Sequence, residues 1–207
     1  MNKNLREKII KNAQFPFGQK KMIYQSLEDI KGKRDMVHRY EVMGIPIFKD
    51  KSVLDIGCSM GVVCIDAIRQ GAKRAVGFDF KKGTIKVAKE YCKENDINVE
   101  LYVFDIKDGL LKLKKIIGEE KFDIVFSLSV IRHIKGYENN LWDIINYYCD
   151  GICYFEGHPN NNKVKLRKNR EKLKKLIYKN LYFKDVDFLG YTNDAGYRPM
   201  FKLKEIL

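Results

Sequence analysis

No apolar run in the sequence approaches the roughly 20 residues that a membrane-spanning helix needs. The opening stretch from Met1 to Lys8 is polar and lacks the apolar core of a secretion signal, which predicts a cytoplasmic protein. The five cysteines form no Cys-x-x-Cys pair, and their odd number argues against a disulfide framework or a zinc knuckle. Aromatic residues, at 12% of the 207 residues, are too plentiful for a mainly disordered chain, and the length suits one domain.

Acidic residues are outnumbered by basic ones, 27 against 40, which gives a net charge of +13. A charge of this size is typical of a protein with an anionic partner such as RNA. Only 9 of the basic residues are arginine, however, and a lysine-rich composition is also what an AT-rich genome produces. Because RNA-binding proteins often use arginine for forked phosphate contacts, both interpretations stay open.

The first fifty residues carry apolar side chains at helical spacing and predict three helices. The first helix contains Leu5, Ile9 and Ala13, the second covers 20–30 and the third covers about 35–43. The apolar face of the second would consist of Met22, Ile23, Leu27 and Ile30.

From residue 51 onward, short apolar runs alternate with amphipathic segments. The runs predict strands over 52–56, 74–78, 99–104, 122–128, 151–155, 183–191 and 198–203, the last two joined by a turn-rich link at 192–196. The segments predict helices over 62–70, 82–95, 109–117, 138–149 and 164–180. Five strand–helix units followed by a hairpin predict an α/β fold with a doubly wound, mostly parallel sheet of seven strands. Residues 51–207 would form this domain, and residues 1–50 a helical N-terminal cap or lid over its working edge.

A glycine-bearing loop follows the first of these strands, where open α/β sheets bind ligands. The loop contains Gly57 and Gly61, with Cys58 and Ser59 between them and Asp55 at the end of the strand. Glycine allows positive φ and lets a ligand approach the backbone. The spacing differs from the G-x-G-x-x-G of dinucleotide-binding loops, and no Gly-Lys-Ser/Thr of a P-loop follows.

Acidic residues end the next two strands. Asp79 is placed to accept hydrogen bonds from both ribose hydroxyls of an adenosine ligand. Asp105 is placed to accept from an adenine amino group, with Phe80 and Ile106 clamping the ring. Capping a helix is the alternative role for Asp79, and beginning a turn is the alternative for Asp105.

These motifs resemble, in order, those of class I S-adenosylmethionine-dependent methyltransferases, a Rossmann-like family, over about residues 50–205. The residues that carry the resemblance are Asp55 to Gly61, Asp79, Asp105 and the fourth strand from Phe122 to Ser127. The resemblance implies methyl transfer (EC 2.1.1 class), the strand order 3-2-1-4-5-7-6 and an antiparallel last strand. It also implies that S-adenosylmethionine lies with its methionine part on the glycine loop, its ribose on Asp79 and its adenine on Asp105, with Ser127 also at the cofactor. Ser59 departs from the glycine that many members have.

The fourth-strand motif, from Phe122 to His133, looks most like that of enzymes modifying the wobble uridine of tRNA and their unassigned relatives. The motif is one strand long and does not fix a substrate. A small-molecule acceptor is favoured, with RNA methylation and an inactive cofactor-binding or regulatory protein as alternatives.

Three ionisable residues follow the fourth and fifth strands and are the predicted catalytic residues. They are His133, Glu156 and His158, and either histidine could be a general base because imidazole titrates near neutrality. Structural roles, a helix cap for His133 and a loop contact for His158, are the alternative. The three could also form a metal site, but the paired glutamates and adjacent histidines of metal-using RNA-tail methyltransferases are missing, so no metal is expected.

A basic helix is predicted near the end of the chain. Between Lys163 and Lys179 it has nine basic residues and one acidic residue, Glu171, beside an apolar stripe that includes Leu173. It is either a solvated face or an RNA-binding surface.

Overall fold

The computed structural model describes residues 1–17, 20–34, 36–44, 46–159, 162–193 and 196–206. The chain divides into two compact units. Unit 1 consists of Met1–Val37 and Ile47–Phe104, and unit 2 of His38–Pro46 and Asp105–Leu207. Both units therefore contain part of the first fifty residues, and the predicted cap over 1–50 stays a prediction.

Strands and helices alternate along the described residues. The strands are β1 (Gln14–Phe17), β2 (Lys20–Ile23), β3 (Ser52–Ile56), β4 (Arg74–Asp79), β5 (Glu100–Val103), β6 (Phe122–Leu128), β7 (Cys149–Glu156), β8 (Phe183–Thr192) and β9 (Arg198–Ile206). The α-helices are α1 (Lys3–Asn12), α2 (Met36–Met43), α3 (Val62–Arg69), α4 (Lys82–Glu94), α5 (Leu110–Ile117), α6 (Glu138–Tyr148) and α7 (Lys163–Asn180). Short 3-10 turns cover Ile106–Asp108 and Ile131–Ile134.

Seven strands form one sheet in the order β5-β4-β3-β6-β7-β9-β8. The β3–β4, β4–β5 and β6–β7 pairs are parallel, and β9 runs antiparallel to both β7 and β8. Counted from β3, this order is 3-2-1-4-5-7-6, so the predicted fold is confirmed. The predicted turn at 192–196 lies partly outside the described residues, at 194 and 195, as does residue 35 at the start of the third predicted helix.

In unit 1, β3 is buried along its whole length, and its apolar residues Val53, Leu54 and Ile56 are 0% exposed. Such runs are typical of parallel strands that are covered on both faces. The N-terminal helix α1 packs against α4, where Lys8 Nζ lies 2.9 Å from the carboxylate of Glu90. The first helix of the chain is therefore attached to the outer layer of unit 1.

The predicted second helix over 20–30 is wrong. Lys20–Ile23 forms β2, antiparallel to β1, and a tight turn follows in which Leu27 and Ile30 exchange both backbone hydrogen bonds at 3.0 Å. Glu28 in this turn has a φ of +50°, which an α-helix cannot contain. Ile23, Leu27 and Ile30 are buried by a hairpin and a turn rather than by one helical face.

In unit 2, rings from β6, β7 and α6 form the core. Phe126 stacks on Tyr154 with centroids 5.2 Å apart, and Trp142 of α6 stacks on Phe155 of β7 at 5.7 Å. Helix α7 buries Ile177 completely and precedes the antiparallel hairpin of β8 and β9. Among the described residues, no helix is both long and apolar enough to cross a membrane.

Candidate active site

The glycine loop between β3 and α3 has a backbone that only a few residue types adopt readily. Gly57, Ser59 and Gly61 all have positive φ, at +74°, +53° and +71°. The N–H groups of Gly57 and Cys58 both donate to the carbonyl of Phe78, at 2.9 and 3.0 Å, and so tie the loop to β4. A left-handed Ser59 is unusual, because this conformation crowds the Cβ of non-glycine residues.

Asp79, at the end of β4, holds this loop in place. Its Oδ2 accepts from the backbone N–H of Ser59 at 3.0 Å, and its Oδ1 accepts from the N–H of Lys81 at 2.9 Å. The second contact is to Lys81, the N-cap residue of α4, so it closes a turn before the helix and is not the N-cap hydrogen bond of the alternative role. A carboxylate offers about four acceptor positions, and these two contacts use two of them.

The residues of unit 1 fit the cofactor that the resemblance implies. Ser59 Oγ is buried and has no hydrogen-bond partner within the described residues, which suits a polar ligand group. Asp55 is also buried, at 2% exposure, whereas the Phe80 ring is 61% exposed. Burial, followed by the carboxylate of Asp55, raises the pKa of the Cys58 thiol well above its usual range, so Cys58 is a neutral wall residue.

The remaining predicted cofactor residues belong to unit 2. Asp105 Oδ1 accepts from the N–H of Lys107 at 3.0 Å, so Asp105 begins the 3-10 turn, in line with the alternative role. Ile106 is 6% exposed. Ser127 is fully buried, and its Oγ has no hydrogen-bond partner in the described part of the chain. The predicted cofactor contacts of these three residues stay predictions.

Glu156 is fully buried at the end of β7 and is surrounded by donors. Arg39 Nη2 of α2 donates to its Oε2 at 2.8 Å, and both side chains are at most 1% exposed. The hydroxyls of Ser129 and Thr192 also donate to this carboxylate. Glu156 thus connects α2, the residue after β6 and the end of β8, and it presents no surface to an acceptor.

This buried cluster also holds a strained turn. Ser129 has a φ of +64°, and its N–H donates to the carbonyl of Glu156 at 3.1 Å. Ser129 immediately precedes the segment that leads to His133. Arg39, Ser129 and Thr192 were not identified from the sequence, because a pair 117 positions apart leaves no local signal.

The two predicted histidines lie at one edge of unit 2, and both are exposed. The pKa of His158 is lowered to about 4 by burial of part of its ring and then by the charges of Arg132, His133 and Arg198. His158 therefore carries a neutral imidazole at pH 7. The structure brings His158 and His133 close enough to interact and places Glu156 beneath this edge.

His158 also lines a cavity of about 510 Å³ in unit 2. The cavity is bounded by the segment after β6, by α7 and by the β8–β9 hairpin. Its lining residues are Ile131, Arg132, Lys135, Glu138, His158, Leu166, Asn169, Lys172, Leu173, Leu176, Tyr191, Tyr197 and Pro199. This volume is within the range of small-molecule sites in proteins.

The lowered pKa of His158 should make the protein less stable as the pH falls. Between the ordinary pKa of about 6.5 and the folded value of about 4, the unfolded chain binds a proton that the folded protein does not. We expect the wild type to lose about 1 kcal/mol more than His158→Gln between pH 7 and pH 5, after halving the effect for solvent exposure. Urea unfolding of both proteins at the two pH values measures this difference. His38→Gln is the control, since the His38 ring lies 3.3 Å from the Glu41 carboxylate instead of beside cations. A wild type and His158→Gln with parallel pH dependences would contradict the assignment.

The basic helix α7 is exposed on most of its surface. Lys168, Lys175 and Lys179 are exposed, Leu176 is 37% exposed and Arg170 pairs with its neighbour Glu171.

Among the residues that the structure describes, no group of three or more His, Cys, Asp or Glu side chains could hold a metal ion.

Comparison with known proteins places these features in a family. A family model described as a methyltransferase domain matches residues 47–158. The chain is 33% identical over 87 residues to a ubiquinone biosynthesis O-methyltransferase of Bartonella quintana, covering 42% of this chain and 32% of the relative. It is 35% identical over 72 residues to a ribosomal protein L11 methyltransferase of Haemophilus influenzae, covering 34% and 24%.

A solved methyltransferase structure has a similar fold. Magnesium protoporphyrin IX methyltransferase from Synechocystis, with bound SAH, superposes with a TM-score of 0.57 at 15% identity, covering 82% of this chain and 80% of that one. The matched segments cover only 32% of the Bartonella quintana relative and 24% of the Haemophilus influenzae relative. Since the matched family model covers residues 47–158, more than half of the chain, this protein belongs to the methyltransferase-domain family.

Proposed function

We propose that this protein is an S-adenosylmethionine-dependent methyltransferase that acts on a small-molecule acceptor. The observation that carries the proposal is the contact between the glycine loop and Asp79, in a chain that belongs to the methyltransferase-domain family. The loop and the carboxylate lie at the ends of adjacent parallel strands, which is where open α/β sheets bind ligands.

Each residue of the glycine loop has a separate role in this proposal. The positive φ of Gly57 and Gly61 sets the shape of the loop that receives the methionine part of S-adenosylmethionine, and the buried Ser59 hydroxyl offers it a hydrogen bond. Asp79 accepts hydrogen bonds from the ribose hydroxyls. S-adenosylmethionine supplies an activated methyl group on a positively charged sulfur.

The residues that we propose to act on the methyl acceptor all belong to unit 2. His133 and His158 are the candidate general bases, since both are exposed at the edge where β6 and β7 end. A neutral His158 can accept a proton from an acceptor N–H or O–H group. Glu156 contributes as a positioning residue, because its buried carboxylate holds the strand ends that precede both histidines.

Methylation of RNA is the second candidate function. It is supported by the exposed lysines of α7 and by the resemblance of the fourth-strand motif to wobble-uridine-modifying enzymes. We favour the small molecule because α7 also lines a cavity of suitable volume. A salt titration of binding to bulk tRNA separates the two: RNA binding should weaken steeply with salt, whereas a small-molecule enzyme should bind tRNA weakly at every concentration.

Asp79→Ala should weaken, by at least about tenfold, the S-adenosylmethionine binding that the wild type shows in the micromolar range. The variant removes the acceptor for ribose hydroxyls and also the contact that holds the Ser59 backbone. Hydrogen bonds to charged groups contribute about 1.5–3 kcal/mol each, so the loss should be at least about tenfold. Titration calorimetry measures the affinity, and Asp143→Ala, an exposed carboxylate on α6, is the matched control. Equal binding by wild type and Asp79→Ala would remove the ribose assignment, and no binding by the wild type would overturn the proposed cofactor.

A further inference from the structure

The cavity of unit 2 has a wall that is mainly apolar. Helix α7 contributes Leu166, Leu173 and Leu176, and Ile131 and Pro199 come from the other elements around it. The same helix docks through Ile177, which is 0% exposed, while Leu176 stays 37% exposed. The apolar stripe of α7 is therefore used only partly for docking, and the rest of it faces the cavity.

The charge around this apolar wall is predominantly positive. Arg132, Lys135 and Lys172 line the cavity, and none of them has an ion-pair partner among the residues that the structure describes. Among the described residues of the lining, Glu138 is the one carboxylate, and its Oε2 accepts from the N–H of Gly136 at 2.9 Å. Three cations and one carboxylate give the described lining a net positive charge.

His158 gives a second indication of this positive field. Besides burial, the charges of Arg132 and Arg198 lower its pKa, so the protein keeps a neutral imidazole beside the cations at pH 7. A neutral ring adds no charge to the lining and leaves a polar group at its edge. The hydroxyls of Tyr191 and Tyr197 add further polar groups to the lining.

We propose that the cavity binds a small amphipathic anion, a molecule with an aromatic or aliphatic body and a single anionic group. The leucines of α7 cover the body, and Arg132, Lys135 and Lys172 attract the anionic group. Because His158 lines the same cavity, this molecule is the methyl acceptor; that part of the inference rests on the proposed function. The chemistry matches known binding sites, which combine an apolar lining with a few convergent polar groups.

Two fluorescent probes with the same aromatic body test this inference. Anilinonaphthalene sulfonate carries one anionic group, and phenylnaphthylamine is its neutral counterpart. We expect the sulfonate to bind the full-length protein with one-to-one stoichiometry and about tenfold more tightly than the neutral probe, because only the sulfonate gains ion-pair contacts. Equal affinities would show an apolar cavity without charge selection and would overturn the proposal.

Charge-neutralising variants assign the site. The triple variant Arg132→Gln, Lys135→Gln, Lys172→Gln should bind the sulfonate about tenfold more weakly than the wild type. The matched control removes three exposed lysines of α7 outside the lining, Lys168, Lys175 and Lys179, each replaced by Gln, and should change the affinity less than twofold. Equal losses in the two variants would indicate attraction by overall charge and would overturn the proposal. Thermal unfolding of both variants shows whether they stay folded, and Leu173→Asn, which makes the apolar wall polar without adding charge, gives an independent loss of binding.

Two further measurements separate this inference from its alternatives. Displacement of the sulfonate by a single-stranded RNA oligonucleotide, lost in the same triple variant, would assign the lining to nucleic acid and overturn the proposal. Calorimetry with S-adenosylmethionine alone tests the proposed function, which would fail if the wild type did not bind it. Selective sulfonate binding in that case would leave the anion site standing and remove only its role as acceptor site.

Discussion

Arg39→Met should lower the free energy of unfolding by about 3–5 kcal/mol, the largest stability loss that we expect from a single substitution of a buried residue. The Arg39 guanidinium lies 2.8 Å from the Glu156 carboxylate, and both side chains are at most 1% exposed. Removing this cation takes away a charged donor, whereas the Ser129 and Thr192 hydroxyls that remain on the buried carboxylate are neutral donors. Methionine fills a similar volume, so the loss reports the uncompensated charge instead of a cavity.

Urea unfolding followed by circular dichroism measures this loss. The matched control is Lys204→Met, which breaks an exposed pair with Asp187 at 2.9 Å and should change stability by less than about 1 kcal/mol. The double variant Arg39→Met, Glu156→Gln should recover part of the loss, because it no longer buries a full charge. An Arg39→Met protein within about 1 kcal/mol of the wild type would show that the pair does not hold unit 2 together.

The sheet could be predicted from the sequence almost residue by residue. The bounds of β3 and β6, Ser52–Ile56 and Phe122–Leu128, are those that the apolar runs predict. Both strands are almost entirely buried and mainly apolar, and the polar or glycine residues that flank them mark the boundaries. The glycine loop and Asp79 could be placed for the same reason, since they directly follow such strands.

The segment over 20–30 shows where this reasoning fails. Its apolar residues match a helical face in number, but Gly32 lies against Gln25 so closely that a Cβ there would be 2.3 Å from the Gln25 carbonyl carbon. This close backbone contact belongs to a compact loop, and it could not form if residues 20–30 were a helix. Short apolar patterns do not distinguish a hairpin and turn from a helix, since both bury Ile23, Leu27 and Ile30.

The burial of Glu156 and its pairing with Arg39 could not be predicted, because Arg39 is distant in sequence. A carboxylate at a strand end, next to a histidine, indicates a catalytic residue when only neighbouring positions are considered. Its full burial depends on Arg39, and Arg39 lies in the segment that we interpreted as a cap. Deleting residues 1–45 would therefore remove the partner of Glu156 as well as any lid, so weaker cofactor binding after that deletion would not by itself demonstrate a lid.

His133→Gln or His158→Gln should lower turnover by about 10²–10⁴-fold, whichever histidine removes the acceptor's proton. The affinity for S-adenosylhomocysteine should stay within about twofold of the wild type, because neither residue belongs to the glycine loop or to the end of β4. A fall in turnover without a fall in cofactor affinity marks a group that acts on the acceptor or the transition state. Single-turnover methyl transfer, with aromatic and aliphatic carboxylates as acceptors, measures the rate, and Lys179→Gln is the matched control for a charge change in unit 2.

The pH profile distinguishes the two histidines. If His158 is the base, its pKa of about 4 means that it is neutral from about pH 5 upward, so kcat/KM should rise through pH 4 and then stay level. At pH 7 such a base is deprotonated, but it is a weak base. It therefore suits an acceptor whose N–H or O–H group is itself acidic or becomes acidic as the methyl group is transferred. A limb near neutrality that disappears in His133→Gln would instead assign the base to His133. Activity that a chelator abolishes and a divalent ion restores would contradict both assignments. Full turnover by the double variant His133→Gln, His158→Gln would also contradict them, because neither of the two histidines would then be present to act as the base.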